Sequence, residues 1–128
     1  MLKDTAFRKF LESKHCDENL DFICDVKHYE KFVYNKLAHR TDDLASLSEK
    51  EQDQCISKIL VFIDKYLLPS STSEINIPET IRNPLTDALW DKNYHPKVFN
   101  NAKKHVNILL KDSYNSFIRS KPRDDAHS

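Results

Sequence analysis

Across its 128 residues the chain contains no glycine. Glycine reaches positive φ at no steric cost and lets a backbone approach a ligand closely, so phosphate-cradling loops, dinucleotide-binding turns and tight hairpins depend on it. A chain without it loses the main support for those folds and their chemistry. Proline, the other strong breaker of helices, occurs only at 69, 78, 84, 96 and 122, so nothing interrupts the chain before Pro69. An all-α fold is the expectation, and the length suits one compact domain.

Charge and apolar patterning narrow the function classes. Twenty Lys and Arg balance twenty Asp and Glu, leaving no basic excess to neutralise phosphates, so nucleic acid is not an expected partner. The longest aliphatic and aromatic run, Ile59 to Ile63, is far too short to span a bilayer. Residues Met1 to Glu12 lack the apolar core of a secretory signal. The three cysteines, Cys16, Cys24 and Cys55, are odd in number and unpatterned in spacing, which points to a reducing, cytoplasmic setting without a disulfide framework.

Capping residues and apolar spacing divide the chain into helices. Asp4 is placed to cap a short helix with Ala6, Phe7, Phe10 and Leu11 on one face, ending near His15. Asp17 is placed as the N-cap of a longer one, with Glu18 and Asp21 near its positive end. Its apolar face is Leu20, Phe22, Ile23, Val26, Tyr29 and Val33, and it reaches about Leu37. Residues 38–47 read as a loop. Ser48 with Glu51 makes a capping box, and Ile56, Ile59, Leu60, Ile63 and Leu67 form the expected buried stripe behind it. Pro69 and the hydroxyl run after it mark a structured break, and Glu74 to Ile77 form a short extended stretch before Pro78. Pro78 opens a helix to Trp90 in which Pro84 should force a boundary or kink, and Pro96 opens another with Val98, Phe99, Ala102, Val106, Leu109 and Leu110 on one face. Residues 112–120 are expected to add a turn or two, followed by a flexible tail over 121–128.

Four stretches, Phe7-Arg8-Lys9-Phe10-Leu11, Asp17-Glu18-Asn19-Leu20-Asp21-Phe22 with Tyr29, Glu74-Ile75-Asn76-Ile77, and Lys111-Asp112-Ser113-Tyr114 with Phe117, together resemble the regulator of G-protein signalling (RGS) domain in order and spacing. The resemblance covers about residues 4 to 120, and the domain is expected over 1–120, as part of a longer protein. It implies a single-domain bundle of about nine short helices. It also implies a monomer without cofactor that binds the switch regions of a heterotrimeric G-protein α subunit (Gα) and accelerates its GTP hydrolysis. Glu18, Asn19, Glu74, Asn76, Ile108, Asp112 and Ser113 match the family's contact positions. Of these, Asn76 matches the asparagine whose amide restrains the catalytic glutamine of Gα, Glu18 and Asn19 match the pair that meets the first switch region, and Asp112 matches the carboxylate that accepts a switch threonine N–H. Such a partner needs no catalytic group of its own, because Gα carries its arginine in cis and a glutamine that orients water. The chain departs from the family at Ser116, where arginine is usual, at Ile23, where tryptophan is usual, and at Pro78, where an acidic residue is usual.

Each of these positions also has a plainer reading. Asn76 could be a turn residue bonding its own backbone; Glu18 and Asn19 are good first-turn helix residues; Asp112 and Ser113 could cap a last short helix. A scaffold or adaptor that keeps the fold without accelerating hydrolysis is the rival function. The six histidines include no pair at metal-ligand spacing, so no metal is expected. Cys16 stands just before a helix start, where thiolate character is favoured. Trp90, Tyr94 and Phe99 read as core or rim packing. Lys97, Lys103, Lys104 and Lys111 read as a solvated face, or as a peripheral contact with anionic plasma membrane.

Overall fold

A computed structural model of the chain describes residues 4–14, 16–37, 44–71 and 73–120. These form five α-helices and no strand: α1 (Thr5–Ser13), α2 (Glu18–Leu37), α3 (Glu49–Phe62), α4 (Glu79–Trp90) and α5 (Asn100–Ser120). One π turn, Ile63–Leu67, continues α3, and short 3-10 turns lie at Leu44–Ser46 and Pro96–Phe99. The all-α expectation holds, while the count of about nine short helices gives way to fewer, longer ones.

Local chemistry explains the starts. The Asp4 side chain accepts the Phe7 N–H. Ser48 and Glu51 form both halves of the capping box, at 3.1 and 2.9 Å. The carbonyl of Asp17 takes the N–H groups of Leu20 and Asp21 as α2 begins.

Two expected boundaries do not occur. Helix α4 runs through Pro84. Pro84 sits in the second turn, so its missing donor orphans only the carbonyl of Thr80, and Thr80 is exposed to water. Helix α5 is continuous, so Asp112 and Ser113 lie in mid-helix and cap nothing. The α3 stripe is also rotated from expectation. Cys55, Ile59 and Phe62 are buried, Ile56 and Leu60 only half-buried, and the π turn buries Ile63, Tyr66 and Leu67 within five residues. On α5, Leu109 is half-buried and Phe117 takes its place in the core. The expected loop over 38–47 turns out to contain the 44–46 turn, its first part and the tail from Lys121 lying outside the described residues.

Rings fill the core. Phe22 of α2, Phe62 of α3, Tyr66 of the π turn and Phe99 ahead of α5 pack edge-on or tilted with centroids 4.7 to 6.4 Å apart. Both buried tyrosines find acceptors: the Tyr29 hydroxyl donates to the Tyr94 carbonyl, and the Tyr66 hydroxyl to Asp25, which also pairs with Lys65 at 2.9 Å. A second ring group, Phe7, Phe10, Tyr114 and Phe117, fastens α1 to α5. Phe99 is thus core, whereas Trp90 is 57% exposed and lies outside it. No helix among the described residues is long and apolar enough to cross a membrane.

The end of α4 shows what lacking glycine costs. Lys92 has φ 62°, and around it the Lys92 N–H reaches the Leu89 carbonyl and the Asn93 N–H the Ala88 carbonyl, the Schellman arrangement that glycine normally serves. A side chain in that left-handed conformation is strained by about 1 kcal/mol. Lys92→Gly should therefore raise stability by up to about 1 kcal/mol in chemical denaturation, since the relieved strain exceeds the entropy glycine adds to the unfolded chain. A second expectation concerns pH. Burial pushes the phenols of Tyr29 and Tyr66, and the thiols of Cys16 and Cys55, above their ordinary values. The unfolded chain ionises these groups first, so stability should fall as pH rises from about 8.5, and faster beyond about 10, in denaturation measured across that range.

Candidate functional site

The segment from Glu74 to Pro78 is extended, so successive side chains alternate. Ile75 and Ile77 point into the core, and Asn76 and Glu74 point out. Burying each isoleucine contributes about 1.5 to 3 kcal/mol, which seats the loop on both sides of Asn76. The backbone is fastened as well: the Ser73 N–H donates to the Lys65 carbonyl at 3.1 Å and the Ile75 N–H to the Tyr66 carbonyl at 3.0 Å. Ser71 Oγ accepts the Leu68 N–H at 2.9 Å and donates to the Ile63 carbonyl at 3.3 Å, closing the π turn onto the loop.

Arg82, in the first turns of α4, ties this together. Nη1 donates to the Leu67 carbonyl at 2.7 Å, Nη2 donates to the Ile75 carbonyl, and Nη1 lies 3.5 Å from the Glu74 carboxylate. One planar guanidinium thereby clamps the end of the π turn to the residue just before Asn76. Sequence reasoning missed it, because contacts seven and fifteen residues back across an irregular loop leave no periodic trace.

The remaining positions expected from the sequence lie on α5 and at the start of α2. Ile108 is 53% exposed and Asp112, one turn on, is also exposed, while Ser113 is half-buried. A groove of about 260 Å³ lined by Ile81, Asn101, Lys104, His105 and Ile108 puts the first turn of α4, immediately after the Asn76 loop, beside Ile108. Helix α1 links the other group. Arg8 pairs with Asp21 at 2.9 Å, and Phe7 packs on Tyr114 and Phe117, so the first turn of α2 and the stretch of α5 around Ser113 share α1 as a neighbour. Ser116, one turn after Asp112, is exposed and its hydroxyl accepts from Arg119 at 3.4 Å; no guanidinium orients Asp112 from that position.

Asn19 departs from its neighbours. It is only 6% exposed, the buried polar residue of the core, and its Oδ1 has no hydrogen-bond partner among the described residues. Leaving a buried amide oxygen unmatched costs about 1 to 3 kcal/mol, so Asn19 is held at some expense to stability. Glu18 beside it is half-buried.

Other candidates weaken on inspection. Cys16 does not have thiolate character: burial, then the carboxylates of Glu18 and Asp17, raise its pKa, and its Sγ contacts the Leu11 carbonyl. No group of three His, Cys, Asp or Glu residues is placed to hold a metal among the described residues. A wide recess, about 940 Å³ between α2 and α3, is open, is lined by Phe32 and a mixture of Lys50, Lys58, Glu49 and Asp53, and includes none of the expected positions.

The family described as the regulator of G protein signaling domain matches residues 3–122, and the chain belongs to it. It is 27% identical over 117 residues to regulator of G-protein signaling 1 of Xenopus tropicalis, covering 91% of this chain and 49% of that protein. The Xenopus laevis protein of the same name is 28% identical over 116 residues, covering 90% of this chain and 48% of its own length. Regulator of G-protein signaling rgs-3 of Caenorhabditis elegans is 28% identical over 116 residues, covering 89% and 27%. The chain thus spans about half the length of the frog proteins and less of the nematode one.

The clamp makes a prediction. Arg82→Gln should speed hydrogen exchange at the Ile75 amide by about tenfold or more, from the loss of charge-assisted hydrogen bonds, while amides in α2 and α5 keep their protection. Exchange followed by mass spectrometry checks it, and Arg82→Lys should lie between.

Proposed function

We infer that this domain accelerates GTP hydrolysis by a heterotrimeric G-protein α subunit, and so ends its signal, by holding the mobile switch segments in their transition-state arrangement. The observation that carries the reading is Asn76: a side chain that adds nothing to the core is displayed by a loop fastened through Ile75, Ile77 and Arg82. An amide offers a donor and an acceptor without net charge, which suits restraint of a glutamine near a γ-phosphate. Membership of the RGS family supports the same reading. The domain contributes no catalytic residue; it supplies preorganisation by binding, a differential affinity for the transition state.

In this reading Glu74 and Asn76 meet the partner from the loop. Ile108, Asp112 and Ser113 meet it from α5, and Glu18 and Asn19 from the start of α2. The domain acts as a monomer in the cytoplasm, working at the plasma membrane where its partner resides.

Single-turnover hydrolysis by a panel of Gα subunits, with and without the domain, tests this. Acceleration is expected for at least one subunit, together with tighter binding to its GDP–aluminium fluoride form than to its GDP form. Asn76→Ala should lower the acceleration by about tenfold or more, the range for removing one oriented polar group from a transition-state site, with little change in melting temperature because the side chain is exposed. Binding without acceleration would point instead to a scaffold.

A further inference from the structure

Helix α5 is the most basic element of a chain whose net charge is zero: it carries Lys103, Lys104, Lys111 and Arg119 against the single acid Asp112. Lys103 is committed, its ammonium paired with Glu30 of α2. Lys104 and Lys111 are exposed, lie two turns apart on the same side of the helix, and make no ion pair among the described residues. Between them stands Ile108, 53% exposed. It divides two recesses: one of about 420 Å³, lined by Asn100, Lys103, Lys104, Asn107, Ile108 and Lys111, and the 260 Å³ groove shared with Ile81 of α4. Lys104 borders both.

Two unpaired ammonium groups around an exposed isoleucine favour an anionic partner with an apolar group between its charges. The recesses favour a surface with projecting side chains over a flat one, since a lipid headgroup layer presents nothing to fill them. The face is also continuous with the candidate site, through Ile81 just after the Asn76 loop and through Asp112 one turn beyond Ile108. We propose that this face of α5 docks an acidic surface segment of the α subunit, Lys104 and Lys111 pairing with its carboxylates and Ile108 seated on the apolar group between them. The proposal rests on the functional reading above and adds a selection rule: α subunits bearing acidic side chains at that place are engaged faster and at lower concentration. Rim charges of this kind act on encounter rate and salt dependence, not on the chemical step.

The test is a titration of wild type, Lys104→Gln/Lys111→Gln and Lys104→Glu/Lys111→Glu against the α subunit that the wild-type domain accelerates most. Hydrolysis is followed at about 50 mM and about 500 mM NaCl, because salt at the higher level screens such pairs within a few ångströms. At low salt the half-saturating concentration should rise about tenfold for the glutamate pair and less for the glutamine pair. The rate at saturation should be unchanged, and the differences should shrink at high salt. Half-saturation equal to wild type at low salt overturns the docking proposal alone, provided Asn76→Ala still lowers the acceleration in the same assay. Loss of binding to phosphatidylserine vesicles with half-saturation unchanged overturns it in favour of a lipid surface. A wild-type domain that accelerates no α subunit overturns the functional reading, and this proposal with it.

Discussion

The structure depends on a single problem of distance. Helices pack with their axes about 8 to 10 Å apart, set by the side chains between them, and α2, α3 and α5 must be joined without voids. Aromatic rings solve it. Phe22, Phe62, Tyr66 and Phe99 pack together from three stretches of chain, with Tyr29 packed against Phe62 and Phe99. Each ring spans a gap that smaller aliphatic side chains would leave partly empty, and their angled contacts add about 0.5 to 1.5 kcal/mol per pair beyond burial. The two tyrosines place hydroxyls where acceptors wait, at Tyr94 and Asp25, so the cluster carries its polar atoms without penalty.

The candidate site is a consequence of that core. Tyr66 does three things: its ring enters the cluster, its hydroxyl holds Asp25 of α2, and its carbonyl receives the Ile75 N–H. The wider π turn is what brings Ile63, Tyr66 and Leu67 inward together and leaves the Leu67 carbonyl turned toward Arg82. The position of Asn76 is therefore set from the middle of the core outward, through Tyr66 to Ile75 on one side and Arg82 on the other. A loop fixed this way can present a side chain at a defined angle although its tip is in water.

How far this was legible beforehand follows the range of the interactions. The Asp4 cap, the Ser48 and Glu51 box and the Ile75-Asn76-Ile77 alternation involve residues within three of each other, and sequence spacing reports them directly. The continuity of α4 and α5 was harder. Pro84 and Asp112 signal a break locally, and tertiary packing of Leu85, Leu89, Val106, Leu110 and Phe117 overrides them. The buried face of α3 starts at Cys55 and not at Ile56, because two neighbouring apolar stripes fit the same helical spacing and the elements packed on the helix decide between them. The Arg82 clamp, the burial of Asn19 and the raised thiol of Cys16 depend on which elements meet in space, information that helical spacing does not hold. The family resemblance assigns its candidate contact positions by pattern alone, and for that reason it marks Asn19 without revealing that its amide oxygen is buried with no partner among the described residues.

The missing glycine bears on function as well as fold. A partner that works by restraining another protein's switch segments spends binding energy on any freedom of its own that it must give up. The loop from Leu68 to Pro78 has a proline at each end region and a β-branched isoleucine on each side of Asn76, and no glycine, which restricts its backbone and leaves less freedom to give up on binding. Its anchoring residues are buried and its displayed residue is not, which separates the two demands: Ile75 and Ile77 hold the loop to the core, and Asn76 takes no part in that packing. The same separation holds on α5, where Val106 and Leu110 face the core and Ile108 and Asp112 face outward from adjacent positions of the same turns. A rigid helix and a glycine-free loop, both held by one aromatic core, give a surface whose geometry is settled before the partner arrives, which is what preorganised binding of a transition-state conformation requires.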